Sequence, residues 1–433
     1  LVVPLRCLVF VLFVLALRPA RAQYVQSLFP SGVPGYDAEG GVTVLSRLRS
    51  SYDAEPIRLG DYDIRPEIDE TGSYETNVQG GSGASGSSVA VSHAGLSLDS
   101  NWSRNSLGAA VSVDDSIYGS LPVDNHVDWT AAIGGSYTLG RGDITAGYAH
   151  LAEHSLGTQF GALETSNAVP YSVDDYRASM TTIAGRFSFT PNLDVQTFRF
   201  GTATLGGLRV DQAYDDRTLT EGGVTTRFDL GGERGIVLVL QGDQTRYPNT
   251  PRGAFNEASS GFIALGGIDY QATGVFRYRV LAGLETRSFT ARSFGSQTAP
   301  ITEASVIWTP TPLTTITDTL SREIESPASA DAGDFTYLSN TLTVDHELTR
   351  NFLLQAKATV QQADYLSHGS QDSLSLGLSA TWLISKTLRV IASYNYAVVS
   401  SPPTASATGS VTPIPIGGGY TTNVINLTLR ITP

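Results

Sequence analysis

The sequence is nearly without cysteine: 433 residues include one, Cys7, and one methionine. Charge is scarce too. Asp, Glu, Lys and Arg make up 16% of the chain, against about 25% in ordinary soluble domains. Basic residues are the rarer sign, 28 against 41 acidic, for a net charge of −13. Long apolar runs are missing beyond the N-terminus, and the mean hydropathy is −0.03. Each absence excludes something. One cysteine cannot build a disulfide scaffold. A shortage of basic residues leaves no patch to neutralise phosphates, which argues against a nucleic-acid binder. Without runs of about 20 apolar residues there is no bundle of membrane helices. A chain that is 41% hydrophobic is not intrinsically disordered. What the chain does have is glycine, 44 residues of it.

The one apolar run is Leu8 to Leu17, preceded by Arg6 and followed by Ala20-Arg21-Ala22. A charged start, a short apolar stretch and an A-x-A site are the parts of a secretory signal. We expect residues 1–22 to be a cleaved signal peptide. Its loss removes Cys7 and three arginines, taking the net charge from −13 to −16 and leaving 411 of 433 residues. A cysteine nucleophile is then excluded as well.

After Asp61 the dominant period is two. Leu374, Leu376, Leu378, Ala380 and Trp382 alternate with Ser373, Ser375, Gly377, Ser379 and Thr381, and Phe276 to Leu284 and Ile425 to Ile431 repeat the pattern. Such alternation marks strands with one apolar and one polar face. The connections alternate between short turns, such as Gly140-Arg141-Gly142 and Thr190-Pro191-Asn192, and longer segments, such as 155–172 and 400–418. We count eighteen strands between residues 62 and 431, joined by eight short turns and nine longer loops. Short turn, long loop, short turn is the connectivity of an outer-membrane barrel, and an even strand count leaves both termini in the periplasm. The fold class read here is all-β: a transmembrane, antiparallel, up-and-down β-barrel of about 18 strands over residues 62–433, with residues 23–61 as a periplasmic N-terminal segment or one that reaches into the barrel mouth. The segment 400–418 is long enough to fold inward and occlude the lumen.

An aromatic precedes seven of the eight short turns: Trp102, Tyr137, Phe189, Phe228, Tyr270, Trp308 and Trp382. Rings with an apolar body and a polar edge favour the bilayer interface, so these residues read as an aromatic girdle. A β-propeller is the soluble competitor, but a blade needs four strands per repeat and this chain has two.

Residues 42–78 carry a family resemblance. Arg47, Arg49 and Tyr52 give an R-x-R-x-x-Y segment; Gly60, Tyr62 and Pro66 follow a G-x-F-x-x-x-P approach with Tyr in place of Phe; Tyr74 and Asn77 form a Y-x-x-N at the first loop. Trp308-Thr309-Pro310-Thr311 and Ser321-Arg322-Glu323 add two later matches. In these motifs the chain resembles β-barrel porin family 2 of the outer membrane. The resemblance implies a barrel in the bacterial outer membrane, in a family whose members often accompany exopolysaccharide production.

A pore needs fixed charge on its wet wall. Arg186, Arg199, Arg227, Arg277 and Arg279 fall on the face opposite neighbouring aromatics by strand parity. An arginine facing lipid costs about 2–4 kcal/mol at the midplane, so we read the five as candidate lumen-lining residues. They either contact anionic or sugar solutes or pair with acids such as Glu221 and Glu285. The acidic pairs Asp114-Asp115, Asp174-Asp175 and Asp215-Asp216 lie at long-loop strand ends, and no full set of oxygen ligands is visible among them. Six histidines, His93, His126, His150, His154, His346 and His368, form no constellation recoverable from spacing. We therefore expect no enzyme: no catalytic, cofactor-binding or metal residues are assigned. The function read here is a porin-like passive channel or an accessory barrel in exopolysaccharide export. The alternatives are a hydrolase or protease with a loop-borne site and a structural or adhesive surface barrel. The implied partners are outer-membrane lipid and lipopolysaccharide, the barrel assembly machinery, and polysaccharide or small solutes.

Overall fold

Period-two sequences with a polar second face need a partner on each edge, and a ring of strands supplies one without leaving an open edge. The computed structural model describes residues 28–30, 32–36, 42–81, 83, 85–158, 165–205, 207–250, 258–270, 275–291, 295–325, 335–365, 369–400 and 419–433. The signal segment, Cys7, His368 and residues 401–418 lie outside these described residues. In chain order the strands are β1 Ile57–Leu59, β2 Tyr62–Glu75, β3 Ser87–Ser100, β4 Ser106–Tyr118, β5 His126–Leu139, β6 Gly142–Ser155, β7 Val169–Ala184, β8 Phe187–Phe200, β9 Thr202–Leu205, β10 Leu208–Asp211 and β11 Arg217–Gly231. They continue with β12 Arg234–Arg246, β13 Ser259–Tyr270, β14 Phe276–Phe289, β15 Ser296–Thr311, β16 Thr314–Glu325, β17 Phe335–Thr349, β18 Phe352–Tyr365, β19 Gly369–Leu383, β20 Leu388–Val399 and β21 Tyr420–Ile431.

Eighteen of these strands, β2 to β8 and β11 to β21, form one closed antiparallel barrel. Each pairs with its sequence neighbours, and β2 pairs with β21 to close the ring. The closing ladder runs from Ile68–Ile431 to Glu75–Val424, whereas β2 pairs with β3 along its full length, Tyr62 to Glu75. The short strand β1 covers the uncovered start of β2, Ile57 opposite Ile64 and Leu59 opposite Tyr62. The strand count and the short-turn, long-loop alternation expected from the sequence are those of the structure. One difference is local. β8 stops at Phe200, and beyond the eighteen barrel strands β9 and β10 form a separate hairpin in the connection that follows. Gly201 marks the break: its N–H donates to the Pro170 carbonyl at 2.8 Å, and a Cβ there would sit 2.7 Å from the Pro170 ring.

The outer face is apolar. Leu376, Leu378, Ile425 and Leu427 are exposed on it, as are Ile236, Leu238 and Phe262. Lipid chains would cover these groups in place of a second layer of protein. Among the described residues no helix is long and apolar enough to cross a membrane.

Candidate functional site

Strand parity divides the wall. Exposed Ile236, Leu238 and Leu240 put the even positions of β12 outside, so Val237, Gln241 and Asp243 face in. On β14 Phe276 and Leu284 face out, so Arg277, Arg279, Leu281, Glu285 and Arg287 face in. The ladder carries this assignment around the ring, because directly opposed residues share a face.

Three of the five arginines singled out from the sequence, Arg227, Arg277 and Arg279, take inward positions. Arg227 on β11 donates from Nε to Asp269 Oδ2 on β13 at 2.7 Å. Arg279 stands directly opposite Asp269 on the next strand. The other two are elsewhere. Arg186 lies exposed in the short turn between β7 and β8, where its carbonyl accepts the Asp229 N–H. Arg199 is a correction. It shares the outer face with Leu193 and Tyr176, its side chain is 59% exposed, and its NH1 pairs with Asp174 at 2.7 Å. The parity inverted because Phe198, which looks lipid-facing, turns inward, 3% exposed, and stacks under the Arg217 guanidinium.

The inner wall holds further charges that sequence parity had not singled out. Arg177 bridges Asp175 at 3.0 Å and Asp194 at 3.2 Å. Arg287 bridges Glu285 at 3.2 Å and Asp243 at 3.8 Å. Gln241 donates to Glu221 at 3.1 Å.

Across this wall lies the chain's own N-terminal segment. Gly108, Gly134 and Gly147 are directly opposed on β4, β5 and β6, making a row without side chains. Residues Gly32 to Tyr36 pack onto it so closely that a Cβ on Gly134 would lie 1.9 Å from the Pro34 carbonyl oxygen, and one on Gly147 would lie 2.7 Å from the Tyr36 ring. Tyr36 donates its hydroxyl to Asp175 Oδ1 at 2.9 Å. Phe29 and Tyr36 sit 4.5 and 4.6 Å from the Arg177 guanidinium carbon. Burial first, and then the Asp175 carboxylate, push the Tyr36 phenol far above the ordinary tyrosine range. Further along, Val44 donates its N–H to Thr315 Oγ1 at 3.1 Å, Arg47 and Arg49 pair with Glu347, and Asp53 pairs with Arg389 at 2.8 Å. In the ring order, β4 to β7 and β16 to β17 lie on opposite sides of the barrel. The segment is therefore fastened to both sides of the wall.

The seven aromatics read from the sequence as a girdle lie on the outer face at the short-turn end. Trp102, Tyr137, Trp308 and Trp382 are well exposed there, Phe228 packs on Phe187 at 4.8 Å, and Tyr270 packs on Tyr278 at 5.6 Å. Phe189 stacks beside Phe187. Tyr62, edge-on to Trp102 at 5.8 Å, joins the set unannounced by the turn rule.

The histidines find acids that spacing concealed. His93 pairs with Asp114 at 2.8 Å, His154 with Asp128 at 2.7 Å, and His150 with Asp174 at 2.8 Å. The acidic doublets split across the wall, Asp114 inward and Asp115 outward, Asp175 inward and Asp174 outward, as adjacent strand residues must. Asp215 is buried in a single helical turn, Ala213–Asp215. Among the described residues no three His, Cys, Asp or Glu side chains gather as metal ligands.

A family model described as "Putative beta-barrel porin 2" matches residues 49–414. The chain belongs to this family. The porin fold and its family indicate the outer membrane. No curated protein matches. Among solved structures, this porin-family chain is similar to OccK9 of Pseudomonas aeruginosa, at 10% identity and a TM-score of 0.45, covering 86% of this chain and 99% of that one. It is also similar to an anion-selective porin from Comamonas acidovorans, at 11% identity and a TM-score of 0.39, covering 86% and 99%. The FrpB iron transporter of Neisseria meningitidis gives 9% identity and a TM-score of 0.47, covering 90% and 84%.

Proposed function

We propose that this porin-family barrel is a passive solute channel through the outer membrane, narrowed from within by its own N-terminal segment. The observation that carries the reading is the seating of Gly32–Tyr36 on the Gly108–Gly134–Gly147 row of a charged inner wall. Closed barrels of 16–18 strands leave an aqueous lumen. A lumen meant to be solid would fill with apolar side chains, not with Arg177, Asp194, Asp243 and Arg287. In this reading Arg227, Arg277 and Arg279 line the channel, mostly as members of structural ion pairs. The girdle aromatics mark the bilayer interface, lipid and lipopolysaccharide surround the wall, the assembly machinery inserts it, and residues 1–22 are removed as an export signal.

The test is conductance of the purified full-length barrel in planar bilayers. Steps that saturate with small electrolytes support the channel. Absence of conductance at every voltage overturns it and returns attention to an accessory role in exopolysaccharide export, which the loss of secreted polymer in a deletion strain would reveal.

A further inference from the structure

At the long-loop rim of the wall, two imidazoles stack with ring centroids 4.8 Å apart: His126, the first residue of β5 and on its inward face, and His154, near the end of β6 and on the same outward parity as His150. Asp128 lies between them in contact. It accepts from His154 Nδ1 at 2.7 Å and stands 3.6 Å from His126 Nε2. Its wall neighbours are acidic: Asp114 directly opposite on β4, itself bonded to His93, and Glu153 of β6, hydrogen-bonded to Asp128 and to Thr130. Tyr118 of β4 packs on the His126 ring, with Glu75 and Asp124 as the other charged groups around that tyrosine. The inward direction of Asp114, Asp128 and His126 follows from the exposed Val113, Ile117, Val127 and Trp129 on the alternate positions; His154 reaches Asp128 beyond Trp129–Ala152, the last pair of the β5–β6 ladder.

The two nitrogens of His126 both face oxygen. Nδ1 lies 2.6 Å from the Asp124 carbonyl, which needs a donor, so a neutral ring places its one N–H there. Nε2 then presents a lone pair to a carboxylate. A second proton on the ring turns that opposition into a charge-assisted hydrogen bond. His154 is similar: its Nδ1–H goes to Asp128, and Nε2 is the position for a further proton. Two rings this close repel when both are charged.

We propose that His126, His154 and Asp128 form a proton-responsive selectivity element at the long-loop mouth of the channel. The proposal rests on the channel reading above. With neutral imidazoles the patch carries the charge of Asp114 and the single charge that the hydrogen-bonded Asp128 and Glu153 carboxylates keep between them, and draws cations into the mouth. Histidine is the side chain whose ordinary charge change falls between about pH 5 and 8. Protonation cancels the negative charge where it meets the permeating ion, and the cation preference falls.

Reversal potentials of the full-length barrel in a potassium chloride gradient test this. Between about pH 8 and pH 5 the potassium-to-chloride permeability ratio of the wild type should fall by about tenfold, the lower range of what focused charge does to local ion concentration. The ratio of the H126Q/H154Q double variant should fall clearly less than that of the wild type, with His93 on Asp114 carrying the remainder. His150→Gln, altered on the outer face beside Asp174, should titrate as the wild type does. Should the double variant lose its fold, judged by heat-shifted gel mobility, H154Q alone should show a smaller fall than the wild type. An equal fall in the wild type and the H126Q/H154Q variant, or none in the wild type, overturns the proposal while leaving the channel standing. A folded barrel with no conductance at any pH overturns both.

Discussion

Arg227 reaches Asp269 across an entire strand. The two belong to β11 and β13, and the 2.7 Å bond between them passes over Gly235 of β12. A Cβ on Gly235 would stand 2.6 Å from Arg227 Nε and 2.5 Å from Asp269 Oδ1. The pair exists because the intervening residue has no side chain. Gly235→Val should separate it and lower the unfolding free energy in detergent by about 1–3 kcal/mol, the range for overpacking, read from urea denaturation. Asp269→Ala should add little on top of Gly235→Val, since both remove the same bond. Full additivity would show that the bond does not matter.

The glycine seat makes a sharper prediction. Gly134→Val cannot coexist with Pro34 where it now lies, because the clash is with backbone and not with the end of a flexible side chain. The barrel ladder should survive, since β-branched residues suit strands. The N-terminal segment should leave the wall, become cleavable by added protease in folded, detergent-solubilised protein, and raise single-channel conductance. Unchanged conductance and protection would mean that the segment does not narrow the channel.

Tyr36 predicts a pH dependence with a definite sign. Its phenol is raised in the folded protein by burial and by Asp175. A raised acid contributes stability that is fully present below its unfolded value, about pH 10 for tyrosine. That contribution is lost as pH rises toward the higher folded value. Tyr36→Phe should therefore loosen the segment by about 1.5–3 kcal/mol, the worth of a hydrogen bond to a charged group, at every pH below about 10. Above that, the difference between the two proteins should shrink. Protease susceptibility of the segment across an alkaline series measures it; a difference that grows with pH would contradict the assignment.

All four tryptophans, Trp102, Trp129, Trp308 and Trp382, are exposed on the outer face. Each, left as the single tryptophan in a variant, should be quenched by brominated lipid in vesicles, as side chains anchored at a bilayer interface are. Trp129, at the other end of its strand from the turn-side three, should differ from them in its response to an aqueous quencher added on one side. A tryptophan quenched only by aqueous reagents would place its strand in the opposite orientation.

The sequence carried the ring itself. Alternation and turn chemistry are local, so Leu374 to Trp382 or Ile425 to Ile431 declare their strands without help from the rest of the chain. Arg199 shows where such reading stops. Parity assigns two faces to a strand but does not say which is wet, and an aromatic pair such as Phe198 and Phe200 suggests lipid until Arg217 is found against their rings. The histidine–carboxylate contacts were illegible for another reason. His154 and Asp128 meet across two strands, 26 positions apart, and register alone brings them together. The course of residues 28–36 was harder still, since three separated glycines become one surface only when β4, β5 and β6 align.

The joint between β2 and β21 is the one in the barrel where no turn links the paired strands. It holds eight opposed pairs, Ile68 to Glu75 against Val424 to Ile431, while β2 shares its whole length with β3. A closed hoop under load parts at a short splice with no link across it. Unzipping of this barrel should start there, at the junction of the first and last strands, and insertion should finish there. The three residues of β1 then act as a stitch over the loose end of β2 that the splice does not reach.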